Sequence, residues 1–176
     1  MSPFRTDAAF LKEAVFFDDD WGNNASKHAR FSTLRDRLLA GLSPTPHPGV
    51  FILRRGSGKT RILRNEQAVA EHLRDTRGFR IVDVTTHSVS EILAACAGAR
   101  VLAGIEGSHL MHGLMVLEPG ACLLTLQPPY RFCSVLKLTT DMEGQHYGFV
   151  VGTAVEGGFE VDVTEVDRTL DLLPQR

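Results

Sequence analysis

At 176 residues the chain can hold one domain with a real core, or one domain with an ordered arm, and is too short for two full domains. Its 43% hydrophobic content and formal charge of -2 exclude both the overall basic excess of a nucleic-acid binder and the acidity of a solvating tail, so any basic site must be local. Three cysteines without C-x-x-C spacing, an N-terminus unlike a signal peptide and the lack of any long apolar window lead to the expectation of a reduced, cytoplasmic protein with no membrane span.

Residues 1–47 read as a helical arm and a proline-rich linker. HARFSTLRDRLLAGL sets Phe31, Leu34, Leu38 and Leu42 along one stripe, and SPTPHPG carries three prolines. Residues 48–176 read as one lobe. There VFILR predicts a strand, NEQAVAEHLRDTRG a helix, FRIVDV a strand and SVSEILAACAGA a helix; RVLAGI, GSHLMHGLMVL and CLLTLQ continue as strand, helix and strand. Asn65 and Ser88 or Ser90 stand where helix caps belong, with Gly78 and Gly98 as stops. Strands that are apolar almost throughout suit a mostly parallel sheet covered on both faces, a Rossmann-like α/β lobe. After Gln127 a helix mixes with an extended FVVGT, and FEVDVTEVDRTLDLL predicts a short strand followed by a capped helix.

The run FILRRGSGKTRILRNE ends like a nucleotide-binding P-loop, G-x-x-x-x-G-K-[ST]. Counting back from Gly58, however, the first glycine's place is held by Leu53, inside the apolar strand. What remains is a strand followed by Arg54, Arg55, Lys59, Arg61 and Arg64, five cations within eleven residues, interleaved with Gly56, Ser57 and Gly58. A solvated basic turn is the plain alternative to an anion site. In a doubly wound sheet, though, the loops RRGSGKTR, TTHS and GIEGSHLMH come to one edge, where cations, glycines and the exposed N–H groups of a helix starting near Ser108 together favour phosphate.

The ordered features RRGSGKTRILRNE, GFRIVD, the G-x-x-G-S run at residues 104 to 108, Pro119-Gly120 and CLLTLQPP resemble, over roughly residues 48–130, the C-terminal half of family-61 glycosyltransferases of the bacterial capsular or exopolysaccharide type. The resemblance implies a GT-B enzyme whose C-terminal lobe binds a nucleotide sugar, with inversion, no metal and no cofactor beyond the donor, and a saccharide acceptor held by an N-terminal lobe. By position it implies that Arg54, Arg55 and Arg61 neutralise the diphosphate while Gly107 and Ser108 donate to it. Ser57, Gly58, Lys59, Asn65, His87, Glu106 and His109 complete the candidate nucleotide-sugar site. Two departures stand out. Many relatives carry histidine where this chain has Glu106, which fits a sugar or ribose hydroxyl, or an arginine partner, better than a phosphate. The acceptor lobe is represented only by the arm.

Other residues have plainer alternatives. His87 sits where a base could rest and reads equally as a surface histidine. His109 and His112 have helical spacing for one zinc but lack a third ligand, and Asp18-Asp19-Asp20 reads as a solvated acidic cluster. Cys96 and Cys122 read as core. The arm at residues 1–42, with Phe10, Leu11, Val15, Phe16 and Trp21, is a candidate surface for a protein partner or a second copy, or folds back on its own lobe. Besides a transferase, the sequence leaves open a donor-binding subunit that depends on a partner for the acceptor lobe, and more remotely a P-loop-like hydrolase.

Overall fold

The computed structural model describes residues 12, 13, 15, 22–55 and 61–174. Helix α1 (Ala25–Leu39) precedes strand β1 (His47–Leu53); then come α2 (Glu66–Arg77), β2 (Arg80–Asp83), α3 (Val89–Cys96) and β3 (Ala99–Ile105). A 3-10 turn (Ser108–Leu110) runs into the short α4 (Met111–Leu114), followed by β4 (Cys122–Gln127), α5 (Val135–Met142) and β5 (His146–Val151). The hairpin β6 (Thr153–Val155) and β7 (Gly158–Glu160) leads to α6 (Val163–Asp171). The first five strands form one parallel sheet in the order β2-β1-β3-β4-β5, the Rossmann-like α/β lobe expected from the alternating pattern.

The uninterrupted apolar runs are explained by two buried faces. Along β1, Phe51 and Leu53 pack with Val69 and Leu73 of α2 and with Val166 and Leu170 of α6, whereas Val50 and Ile52 pack with Ile92 and Cys96 of α3 and with Leu110 and Leu114. Successive strand residues therefore enter opposite cores, and a polar residue at any of these positions would be buried. Local punctuation agrees with this arrangement. Ser88 and Glu91 form a reciprocal capping box at the start of α3, and Gly78, at φ 69°, ends α2 with its N–H on the carbonyls of Leu73 and Arg74.

Three expectations need correction. The strand that opens the lobe starts at His47, one residue before the boundary read at 48. Pro48 is tolerated there because β2 pairs with β1 only from Val50 onward, leaving that flank of the strand without a partner. The stripe on α1 is only half used: α1 contains no buried residue and Leu34 stays exposed, while Leu38, Leu39 and Leu42 lie against the core and His28 Nδ1 lies 3.0 Å from the Glu143 carboxylate. This end of the arm therefore folds back on its own lobe. Phe10, Leu11, Phe16, Asp18-Asp19-Asp20 and Trp21 lie outside the described residues. Finally, the helix expected from Gly107 onward is a 3-10 turn and a single α-helical turn. It crosses α3 so closely that a Cβ on Gly113 would stand 2.8 Å from Cys96 Sγ.

The tail does more than cap the lobe. Phe159 is buried and exchanges backbone hydrogen bonds with the segment after the glycine-rich turn, its N–H donating to Ile62 O at 2.9 Å and its carbonyl accepting from Arg64 at 2.8 Å. A side chain at residue 61 is thereby placed by an element almost one hundred residues later in the chain. Among the described residues no helix is long and apolar enough to cross a membrane.

Candidate functional site at the strand switch point

In an open parallel sheet the crevice for a ligand opens outside the carboxyl ends of the strands where the strand order reverses. Here that point lies between β1 and β3. Strand β1 ends in Leu53, which is 2% exposed and so is strand interior and not the opening of a P-loop. Next, the N–H of Arg54 donates to Glu66 Oε1 at 2.6 Å and the N–H of Arg55 to Glu66 Oε2 at 3.2 Å, with Arg55 in the left-handed region at φ 52°. The first two N–H groups after β1 are thus taken by a carboxylate from the start of α2. Burial pushes the Glu66 carboxyl above its ordinary range, with the two N–H donors and the Arg55 charge pulling the other way. Replacing Glu66 by Gln leaves one of these donors facing an amide N–H2. Denaturant melting should show a loss of about 1–3 kcal/mol, and an unchanged midpoint would contradict this role.

Four guanidinium groups gather around this turn. Arg54, 6% exposed, donates from Nη1 to Arg61 O at 3.4 Å, and burial followed by the neighbouring Arg61 charge lowers its pKa. Arg61 Nη1 donates to the Glu106 carbonyl at 3.0 Å and also to the Glu106 carboxylate, which is held 4% exposed at the end of β3. Arg131, from the loop after β4, brings its Nη1 to 4.0 Å from the same carboxylate. Arg55 Nε donates to Asp83 Oδ2 at 2.8 Å at the end of β2. Burial opposes ionisation of Asp83, but the hydroxyl and N–H of Thr85 and the Arg55 guanidinium outweigh it and hold the carboxyl below its usual range. Four arginines thus face three carboxylates, Glu66, Asp83 and Glu106.

His109 lies over the end of β3. A Cβ on Gly107 would be 3.0 Å from its Nδ1, and one on Gly104 would meet the Ile52 carbonyl at 2.9 Å, so both glycines are needed for the close approach. Burial, then the charges of Arg54 and Arg61, push its pKa down to about 4, and its buried Nε2 has no partner. The ring is therefore neutral at pH 7, a hydrogen-bonding group for an uncharged ligand atom.

The structure brings together Arg54, Arg55, Arg61, Glu106, Gly107 and His109 from the sequence-derived set, while Ser57, Gly58 and Lys59 lie outside the described residues. Asn65 starts α2, but its side chain makes no cap; instead it holds the Val161 backbone, donating to the carbonyl at 2.8 Å and accepting from the N–H at 3.3 Å. Ser108 opens only the 3-10 turn, too short to supply the helix N-terminus expected to favour an anion. His87 folds onto its own turn, with Nδ1 3.2 Å from the Asp83 nitrogen. Sequence reasoning missed Glu66, Asp83 and Arg131. Glu66 was visible only as the last residue of the run RRGSGKTRILRNE, and Arg131 follows Pro128-Pro129 with no pattern to single it out.

Elsewhere, a groove of about 680 Å³ runs along the opposite, amino-terminal edge of the sheet, lined by His47, Arg77, Arg100 and Asp171 among others, and contains none of the arginine cluster. Cys96 and Cys122 are core residues whose thiols burial pushes up to about 12 and about 11. Among the described residues no three His, Cys, Asp or Glu side chains stand together as metal ligands do.

The family model described as Glycosyltransferase 61 matches residues 5–124. The matched region starts well before residue 48 and ends within β4, so it includes α1 and the first part of the lobe. Among solved structures, a mutant glucose dehydrogenase from Haloferax mediterranei is similar with a TM-score of 0.34 and 10% identity, over 83% of this chain and 46% of that one. The chain spans less than half the length of that enzyme, and so distant a likeness carries no argument about activity. No curated protein matches the chain.

Proposed function

With the chain a member of the glycosyltransferase 61 family, we propose that the arginine cluster at the β1–β3 switch point receives the diphosphate of a nucleotide-sugar donor, whose sugar passes with inversion and without a metal ion to a saccharide acceptor in polysaccharide synthesis. One observation carries this reading. Arg54, Arg55, Arg61 and Arg131 converge just beyond β1, where Glu66 occupies the N–H groups of Arg54 and Arg55, so the described residues offer an anion fixed guanidinium charge.

The chemistry asks for such charge. When the bond from the anomeric carbon to the diphosphate breaks, negative charge develops on the departing oxygen, and preorganised guanidinium groups stabilise it more than they stabilise the intact donor. Arg55 and Arg131 are the two open to a ligand, with side chains 44% and 46% exposed, and Arg55 is held by Asp83 at the sheet edge. Glu106, between Arg61 and Arg131, suits a ribose or sugar hydroxyl as an acceptor. His109, being neutral, suits another uncharged group.

Arg55→Ala is expected to weaken nucleoside diphosphate binding by about 1.5–3 kcal/mol, the usual worth of a charge-assisted hydrogen bond, with little change in melting temperature. Titration calorimetry on the purified variant measures this, and unchanged affinity would remove Arg55 from the site.

A second reading makes the chain a donor-binding subunit that works with another lobe holding the acceptor. It is favoured by α1, which lies within the matched region yet buries none of its residues fully and leaves Leu34 exposed. Sugar transfer by the isolated chain to a panel of saccharides separates the two. Robust turnover supports a self-sufficient transferase, and donor binding with only slow hydrolysis supports the subunit.

A further inference from the structure

The outer flank of β5 is the least finished surface of the lobe. His146 N–H donates to Ala121 O and Gly152 N–H to Gln127 O, so residues of even number along β5 turn their backbone groups toward β4. By the alternation of a strand, the N–H and C=O groups of Tyr147, Phe149 and Val151 point the other way, and no described strand pairs with that flank. Natural edges are blunted by charges, proline or bulges. HYGFVV has no lysine, arginine, acid or proline.

The face beside this edge is apolar as well. Phe149 and Val151 of β5, Phe132 of the preceding loop, and Val135 and Leu138 of α5 are between 46 and 59% exposed, and the rings of Phe132 and Phe149 meet edge to face at 5.0 Å. Gln127 fixes this loop from within, donating from Nε2 to Cys133 O at 2.8 Å and accepting from the Cys133 N–H at 3.3 Å. The five apolar side chains accordingly sit on supported backbone.

We propose that β5 is a dimerisation edge at which a second copy of this chain adds its own β5 antiparallel, continuing the sheet across a two-fold axis. A second copy fits for three reasons. A two-fold axis perpendicular to the sheet makes paired identical strands antiparallel, so one operation satisfies both open edges and closes the assembly. The strand carries no carboxylate or ammonium, so like charges do not oppose each other across the axis. The area is also of the right size. Half-exposed side chains of this kind leave on the order of 100 Å² each open. The five together approach 500 Å² before the edge backbone is added, against roughly 800 Å² per partner in a stable dimer. Because Phe132 directly follows Arg131, the same interface also covers the loop that brings Arg131 to the anion cluster.

Sedimentation velocity of the full chain at tens of micromolar tests the proposal. The expected particle has twice the 19.3 kDa chain mass. The double variant Phe149→Lys, Val151→Lys, at half-exposed positions of the edge strand, should sediment as a monomer with an unchanged circular dichroism spectrum. Val89→Lys, exposed at the start of α3 on the side of β2 at the opposite edge of the sheet, should remain dimeric. Should the double variant lose its fold, Leu138→Lys on α5 replaces it with the same expectation. A wild-type chain that is monomeric throughout, or a dimer indifferent to lysines in the patch, overturns the proposal.

Discussion

Arg61→Ala is expected to lower stability by about 3–5 kcal/mol and to remove most nucleoside diphosphate binding, because it leaves the buried Glu106 carboxylate without its closest cation. From sequence alone, Arg61 reads as a ligand arginine whose removal spares the fold. The structure assigns it a second duty, as it ties the end of β3 to the segment after the glycine-rich turn through both the carbonyl and the carboxylate of Glu106. The two effects can be separated. The double variant Arg61→Met, Glu106→Leu removes both charges, so most of the stability should return while binding stays lost. Chemical denaturation combined with calorimetry reads both quantities, and a double variant that regained diphosphate affinity would show that Arg61 does not contact the anion.

His109 should make stability fall steeply in mild acid. Its folded pKa of about 4 lies below its ordinary 6.5, chiefly through burial and then through the charges of Arg54 and Arg61. As pH drops from 6.5 the unfolded chain takes up this proton while the folded chain resists it. The stabilisation present above pH 6.5 is therefore lost progressively down to about pH 4, on the order of 3 kcal/mol for the single group. His109→Gln does not titrate. The difference between the unfolding free energies of wild type and variant should shrink with falling pH across that window, and a difference independent of pH would contradict the assignment. A bound diphosphate would add negative charge near Arg54 and Arg61, so ligand should shift the wild-type profile and leave the variant's slope unaltered.

Most of what is local was legible in the sequence. The strands β1 to β4, a cap at Ser88 or Ser90, the stop at Gly78 and the exclusion of a P-loop by Leu53 all follow from period and punctuation within a few residues. The convergence of Arg54, Arg55, Arg61, Glu106, Gly107 and His109 was legible too, since strands alternating with helices fix which loops share an edge. Contacts between distant parts of the chain were hidden. Nothing near Arg61 announces that Phe159 will hold Ile62 and Arg64, and nothing near Asn65 announces Val161. Nothing in RILRNE singles out Glu66, and only the left-handed Arg55 backbone turns two N–H groups onto it. The length of the helix after Gly107 was overestimated because GSHLMHGLMVL is largely apolar, a composition that a buried turn shares with a buried helix.

The central claim is that fixed arginine charge at the β1–β3 switch point binds a nucleoside diphosphate. Titration calorimetry of the full chain with uridine diphosphate, in the presence of EDTA and again with excess magnesium, tests it most directly. The account predicts saturable binding with similar affinity under both conditions, weakened in the Arg55→Ala chain. Binding that requires magnesium, or the absence of binding under either condition, would contradict it.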